Sequence, residues 1–565
     1  NQGTNAVAIG NLASSSYQSS GAIGIGYSAG QSTQGTNAIA IGSSAGQTNQ
    51  GSGGIAIGFQ AGSQSLSVTQ FNVNAIAIGS SAGQTGQGTN SIAIGLNAGQ
   101  GTQSSNSIAI GNEAGRTSQG ANGVAIGLNA GDRAQGQSSV AIGNTAGQLT
   151  QGFQSVAIGT AAGNGNQGAN AISIGTNAGL TGQSLGGISI GFNAGSTSQG
   201  QNSVAIGAQA GQTSQSVSCV AIGENSGSNG QQANSVAVGP NSGRTNQGGS
   251  CVAIGSNAGA TNQTANSVAI GSVAGGTGQG NNAVAIGNQA GRGIQGQNAI
   301  SIGLTAGFTN QQSSAIAIGT QAGYTNQGTN AISMGLNAGA TNQGQNAIAI
   351  GSGVAGGAGA GGSGQGQSAI AIGNQSGTTS QGSNCVAIGS LSGSINQSAN
   401  SIAIGPNSGQ TAQSGSCVAI GSGAGQTNQR DNAISIGINA GSGTQGSNAI
   451  AIGNSAGNRT QGTNAIAIGF QAGNQAQGSA SIAIGSNAAV TNQLANAIAI
   501  GNSAGQTGQG NSSIAIGNQA AWTAQGGSSI AIGALAGQTN QGGSSVAIGA
   551  NAGAGTQGQS CVAIG

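Results

Sequence analysis

The sequence predicts an all-β parallel β-solenoid (a β-roll) with one 16-residue coil per repeat and two short strands per coil. Three observations carry that prediction. A motif ending in Ile-Gly, or a close variant such as Ala-Val-Gly or Ser-Met-Gly, closes 35 times between Gly10 and Gly565. Of the 34 intervals between closing glycines, 32 are 16 residues, one is 21 (Gly58 to Gly79) and one is 22 (Gly351 to Gly373). Large and tiny side chains alternate in front of each closing glycine, with no shift of composition along the chain. A short period held this strictly marks stacked coils, each a unit that cannot bury its face alone. We therefore read residues 1–565 as a single continuous solenoid, with longer coils at 59–79 and 352–373, forming a segment of a longer chain.

Positions are counted from the residue after each closing glycine. In the coil Ser43–Gly58, offsets 11 to 15 read as a strand, with Ile55 and Ile57 at offsets 13 and 15 and small residues at 12 and 14. Alternation puts large and tiny side chains on opposite faces. The expectation is that the large face fills the coil and that the tiny face, Ala, Ser, Gly or Cys in every coil, packs against another copy of the chain. Glycines at offsets 4, 9 and 16 mark corners, and both prolines, Pro240 and Pro406, fall at offset 1, a turn outside the hydrogen-bonded ladder. A second strand is expected near offsets 5 to 8.

Offset 8 is Gln in every one of the 32 regular coils, among them Gln18, Gln50, Gln103, Gln199, Gln311, Gln429 and Gln557. With coils stacked about 4.8 Å apart, 34 coils would extend roughly 160 Å and these amides would form a ladder along the axis. Each such bond is worth about 1 kcal/mol net. Repetition of a turn-forming Gln by duplication is the competing reading.

Composition excludes most chemistry. There is no Lys or His, and the ten charged residues are scattered, none at offsets 11 to 16. Their positions mark offsets 1, 2, 5, 9 and 10 as solvent-facing, although Arg133 and Arg459 at offset 6 spoil a clean alternation on the second strand. Arg116 and Asp132, one coil apart, are placed to pair. Aromatic residues occur singly and read as surface decoration. Dispersed acids without His argue against an enzyme, a metal site or any cofactor. A net charge of +2 gives no field for nucleic acid, and no apolar run is long enough to insert in a membrane.

Cys219, Cys251, Cys385, Cys417 and Cys561 all occupy offset 12. Neighbours two coils apart are separated by roughly 9.6 Å, too far for an intrachain disulfide. They stand either as buried small residues in place of Ala and Ser, or as contacts between sister chains. The long coils carry Leu66, Val68, Phe71 and Val73 in one and the run 356–362 in the other. Tolerated insertions and functional loops are both open readings.

The run Asn90-Ser91-Ile92-Ala93-Ile94-Gly95-Leu96-Asn97-Ala98-Gly99, repeated along essentially the whole chain, resembles the YadA-like head repeat of trimeric autotransporter adhesins and of viral fibres. The resemblance implies a left-handed parallel β-roll, three chains around an axis, and display on a surface, often in an adhesive role. The coil here is about two residues longer than the family's, and the constant Gln is not part of the common pattern. The expected function is a structural, rigid fibre on an extracellular, cell or virion surface, self-associating as a homotrimer or end to end. The alternatives are an adhesin holding a host protein or glycan through surface loops, and an ice-binding solenoid using Thr48, Thr85, Thr117, Thr213, Thr325 and Thr539 at offset 6.

Overall fold

The computed structural model describes residues 1–64, 73–353 and 357–565. The chain comprises two compact units, Asn1–Asn282 and Ala283–Gly565. Each unit is a parallel β-solenoid, and no helix occurs among the described residues. Leu66, Val68, Phe71 and Gly356 lie outside the described residues.

One coil of the first unit, Ala208–Gly223, shows how sequence becomes fold. Val220–Ile222 at offsets 13 to 15 is the first strand, paired in parallel with Val204–Ile206 before it and Val236–Val238 after it. Like residues stack on like: Val204 on Val220, Ala205 on Ala221, Ile206 on Ile222. The strand is two residues shorter than expected because offset 11, Ser218, sits at φ 56 and makes a turn. Closing Gly223 has φ 121, and a Cβ there would meet the Gly239 carbonyl carbon at 2.8 Å. A side chain would be strained twice over, by its own backbone and by the coil above. That is why the closing residue never varies.

The second strand, Thr213–Gln215, begins at offset 6. Its middle residue Ser214 has φ 54, as do Asn246 (φ 53) and Ser198 (φ 54) at the same offset. A left-handed residue inside the strand breaks the two-residue alternation, so offsets 6 and 7 both face outward and only the Gln at offset 8 turns in. Arg133 and Arg459 at offset 6 sit in coils of another kind, where the second strand is only Ala134–Gln135 or Thr460–Gln461, so offset 6 lies in the bend before it and both side chains are exposed.

Burial reverses the expected faces. Ala205, Ala210, Cys219 and Ala221 are fully buried, whereas Val220 is half-buried and Ile222 is exposed. The interior holds offsets 3, 8, 12 and 14: Ala or Ser at 3, Gln at 8, Ala, Ser, Gly or Cys at 12, and Ala, Ser or Gly at 14. The large Ile and Val side chains at offsets 13 and 15 stand outside. The cause is the thinness of the coil. A Cβ on Gly211 at offset 4 would come within 3.2 Å of the Ala205 Cβ and 2.7 Å of the Gln215 Oε1, so the two layers approach too closely for a branched side chain between them.

The longer coils keep register. In the first unit Ile55 pairs with Ile76, and in the second Ile348 pairs with Ile370, Ala349 with Ala371 and Ile350 with Ile372. The first-strand ladder is thus in register across both longer coils.

Candidate functional surface and its internal support

The glutamines are the structural link between the two layers. Gln18, Gln50, Gln103, Gln199, Gln311, Gln429 and Gln557 are all buried. Gln311 Nε2 donates to the Ile300 carbonyl of the preceding coil (2.9 Å), the Ala315 carbonyl of its own coil (3.1 Å) and Gln327 Oε1 of the next (3.0 Å). Gln199 Nε2 likewise donates to the Ile188 carbonyl of the preceding coil (2.7 Å) and the Ser203 carbonyl of its own (3.2 Å). Gln557 reaches Val546 (3.0 Å) and Cys561 (3.1 Å). A polar side chain is stable in this interior because it is hydrogen-bonded there.

The amide ladder runs unbroken from Gln343 through Gln365, Gln381, Gln397 and Gln413 to Gln429, with steps of 3.0 to 3.1 Å. It bridges the second long coil, where Gln365 takes the ladder position. Elsewhere a serine at offset 14 relays it. Gln327 Nε2 donates to Ser333 Oγ (3.2 Å), which donates to Gln343 Oε1 (2.7 Å). Ser173 does the same between Gln167 and Gln183. The ladder also has gaps, because Oε1 of Gln135 and Gln151 has no donor.

Two polar networks outside the coil were not legible in the sequence. Asparagine at offset 11 is left-handed and stacks its amide on the next, as from Asn432 to Asn448 (3.2 Å) and Asn448 to Asn464 (3.1 Å). Asparagine at offset 7 does likewise from Asn310 to Asn326 to Asn342, 3.0 Å at each step. The threonines at offset 6 turn their hydroxyls back on the protein. Thr48 donates to the Ser63 carbonyl (3.0 Å), Thr85 to Gln100 (2.9 Å) and Thr213 to Ser228 (2.9 Å).

Cys219, Cys251, Cys385 and Cys417 are buried and Cys561 is exposed; all five are free thiols. A contact between sister chains needs offset 12 on an outer face, and the structure places these four thiols on the inner one. They occupy Ala and Ser positions, and each donates to a carbonyl of the next coil, Cys219 to Gln232 (2.9 Å) and Cys417 to Arg430 (2.9 Å). Burial pushes the Cys385 thiol up from its ordinary value and the Cys417 thiol up to about 11. Because the thiolate is the nucleophile, Cys219, Cys251, Cys385 and Cys417, buried beneath the next coil, are expected to resist alkylation of the native chain at mildly alkaline pH and to react only after unfolding. Mass spectrometry of the labelled chain checks this, and rapid labelling of Cys219 or Cys385 would contradict it.

Charged and aromatic residues gather in two places. Arg116 bridges Glu113 (2.8 Å) and Asp132 (2.9 Å). Asp132 is buried at offset 5, whereas Arg244, Arg292 and Trp522 at the same offset are exposed as expected. Burial raises its carboxyl above the ordinary value, with the Arg116 guanidinium pulling the other way. In the second unit, Phe308 and Tyr324 stack with centroids 4.9 Å apart and planes 5° from parallel, and Arg292 lies 5.2 Å from the Phe308 centroid. These aromatics are therefore not isolated. Coil stacking aligns offset 5 of successive repeats, an adjacency visible in the sequence once the repeat is set in columns.

No group of three or more His, Cys, Asp or Glu side chains that would hold a metal ion occurs among the described residues. No helix of the described residues is long and apolar enough to cross a membrane. What each unit does present is an outward file of Ile and Val at offset 13 beside a second at offset 15. Ile206 (36% exposed), Ile254 (39%), Ile388 (37%) and Ile420 (37%) belong to the second file. No protein-family model matches the chain, and no curated protein matches it.

Proposed function

We propose that the chain is a structural protein, a stiff segment of an extracellular or virion-surface fibre that associates with copies of itself. The observation that carries this reading is the uniform coil. The regular coils hold a buried Gln that donates to the strand of the preceding coil, and many, like Gln311, also donate within their own coil and to the next. That construction resists bending and opening at every step. It spends the chain's polar groups on self-support, and the reading includes no catalytic role and no cofactor. The YadA-like resemblance favours display on a surface, and a nearly uncharged exterior without lysine gives proteases few cleavage points.

Electron microscopy of the purified full chain tests the reading. Elongated multi-chain fibres with an axial repeat of about 4.8 Å are expected. Dispersed particles that never join into fibres, at any concentration, would overturn it.

A further inference from the structure

We infer that the outward Ile/Val face of each unit is the surface on which a second copy of this chain packs, sheet against sheet. The inference rests on the reading of the chain as self-associating, and adds which face does it and what covers that face.

The first argument is chemical. Side chains at offsets 13 and 15 are Ile, Val or, once, Met334, and among the described residues they remain half-buried or exposed in every coil. No charged residue falls between offsets 11 and 16 anywhere in the sequence. The face is therefore complementary to itself, since two copies can meet without opposing like charges and without burying an unpaired ion. Charges are confined to the turns and the second strand, where water remains in such a pair.

The second argument is area. The first unit contains 17 first strands, from Val7–Ile9 to Val268–Ile270. Stacked about 4.8 Å apart and presenting two files across roughly 10 Å, they make an apolar strip of about 800 Å². The largest apolar patch on a soluble monomer is about 300–600 Å². A stable complex takes about 800 Å² from each partner, so one unit's strip alone is sufficient.

The third argument is shape. In-register stacking sets every Ile or Val directly above its equivalent, as in Ile388 on Ile404 and Ile404 on Ile420. The result is two straight ridges with a groove between them. A facing copy offers the same ridges and groove, so one face against one face leaves neither file in water. That is an isologous contact between two chains.

The test compares three full-length variants with the parent by mass photometry and sedimentation over a dilution series, with circular dichroism verifying that each retains its β signal. Ile388→Lys/Ile404→Lys/Ile420→Lys places charge on the face. Thr379→Lys/Thr411→Lys/Thr427→Lys places equal charge on the second strand. Ile388→Thr/Ile404→Thr/Ile420→Thr keeps the β-branched shape and removes apolar surface, so it reports even if the first variant does not fold. The parent is expected to have a smallest associated species of twice the 52.3 kDa chain mass. Its dissociation constant should rise at least 100-fold with face lysines and about 10-fold with face threonines, and stay within about 3-fold with second-strand lysines. A parent that stays at the single-chain mass, a threefold species, or face and second-strand variants that weaken association equally would overturn the inference. Fibres that persist with the face variants would overturn the face assignment and leave the fibre reading intact. Pairs that never lengthen into fibres would do the reverse.

Discussion

Ala317→Leu is expected to destabilise its coil by about 3 kcal/mol or more, the upper range for overpacking a filled interior, while Ile318→Thr one residue away costs less than about 1 kcal/mol because its side chain is already half in water. In an ordinary sheet the order would be the other way round. Ala317 is fully buried between Ser301 and Ser333 of the adjacent coils, with no lateral room: a Cβ on Gly323 would lie only 3.2 Å from the Ala317 Cβ. A leucine there has to force the two layers apart. The control is Ala317→Ser, which should be nearly neutral. Ser301 and Ser333 already occupy this offset, and Ser301 Oγ donates to Gln311 Oε1 at 2.6 Å. Hydrogen exchange of the amides of residues 304–319, measured by mass spectrometry on each variant, checks all three. Equal protection in Ala317→Leu and the parent would show that the interior is not packed as described.

The same residues explain how far the sequence could be read. Period, parallel stacking, the two strands per coil and the buried Gln column follow from repetition alone, because identical coils stacked in register put identical residues in contact. The direction of each face does not follow from hydrophobicity, because in so thin a coil volume decides which side chains are inside. Offsets 12 and 14 accept only Ala, Ser, Gly and Cys, a limit on size. Offset 15 accepts Met334 and Val238 beside Ile, a limit on polarity only. Restriction by size is what a packed interior imposes, and it marks the small face as the inside. Arg133 at offset 6 does not fit an alternating strand for a different reason: in its coil the second strand is only Ala134–Gln135 and offset 6 precedes it, while the Thr-Ser-Gln and Thr-Asn-Gln coils hold a left-handed residue at the centre that their composition does not announce. Asparagine recurring at offsets 7 and 11 was the available signal, because its side chain tolerates positive φ better than most.

Gln327→Glu is expected to open its coil near neutral pH and to recover on acidification. Gln327 is fully buried, and its Nε2 donates to the Ile316 carbonyl (2.7 Å), the Ala331 carbonyl (3.2 Å) and Ser333 Oγ (3.2 Å). Its Oε1 accepts from Gln311 (3.0 Å). A carboxylate keeps the acceptor and loses every donor, so a buried charge would face two carbonyl oxygens. Buried groups left in that state cost several kcal/mol. Burial and the facing carbonyls both favour the protonated acid, whose hydroxyl can still donate one bond, so the folded variant binds its proton more tightly than the unfolded chain does. With the folded form holding more protons, stability falls as pH rises through the interval between the ordinary glutamate value and the raised one. The variant should therefore be most protected in acid and least at neutral pH, against a flat profile for the parent at this coil. Gln327→Met separates charge from hydrogen bonding: unbranched and of similar length, it fits beside Gly323 but donates nothing. A loss of about 2 kcal/mol that does not change with pH is expected, the cost of withdrawing a buried donor. Hydrogen exchange of residues 320–335 across the acid range reads both variants. A Glu variant as protected at neutral pH as the parent would mean that the amide is not what joins the two layers.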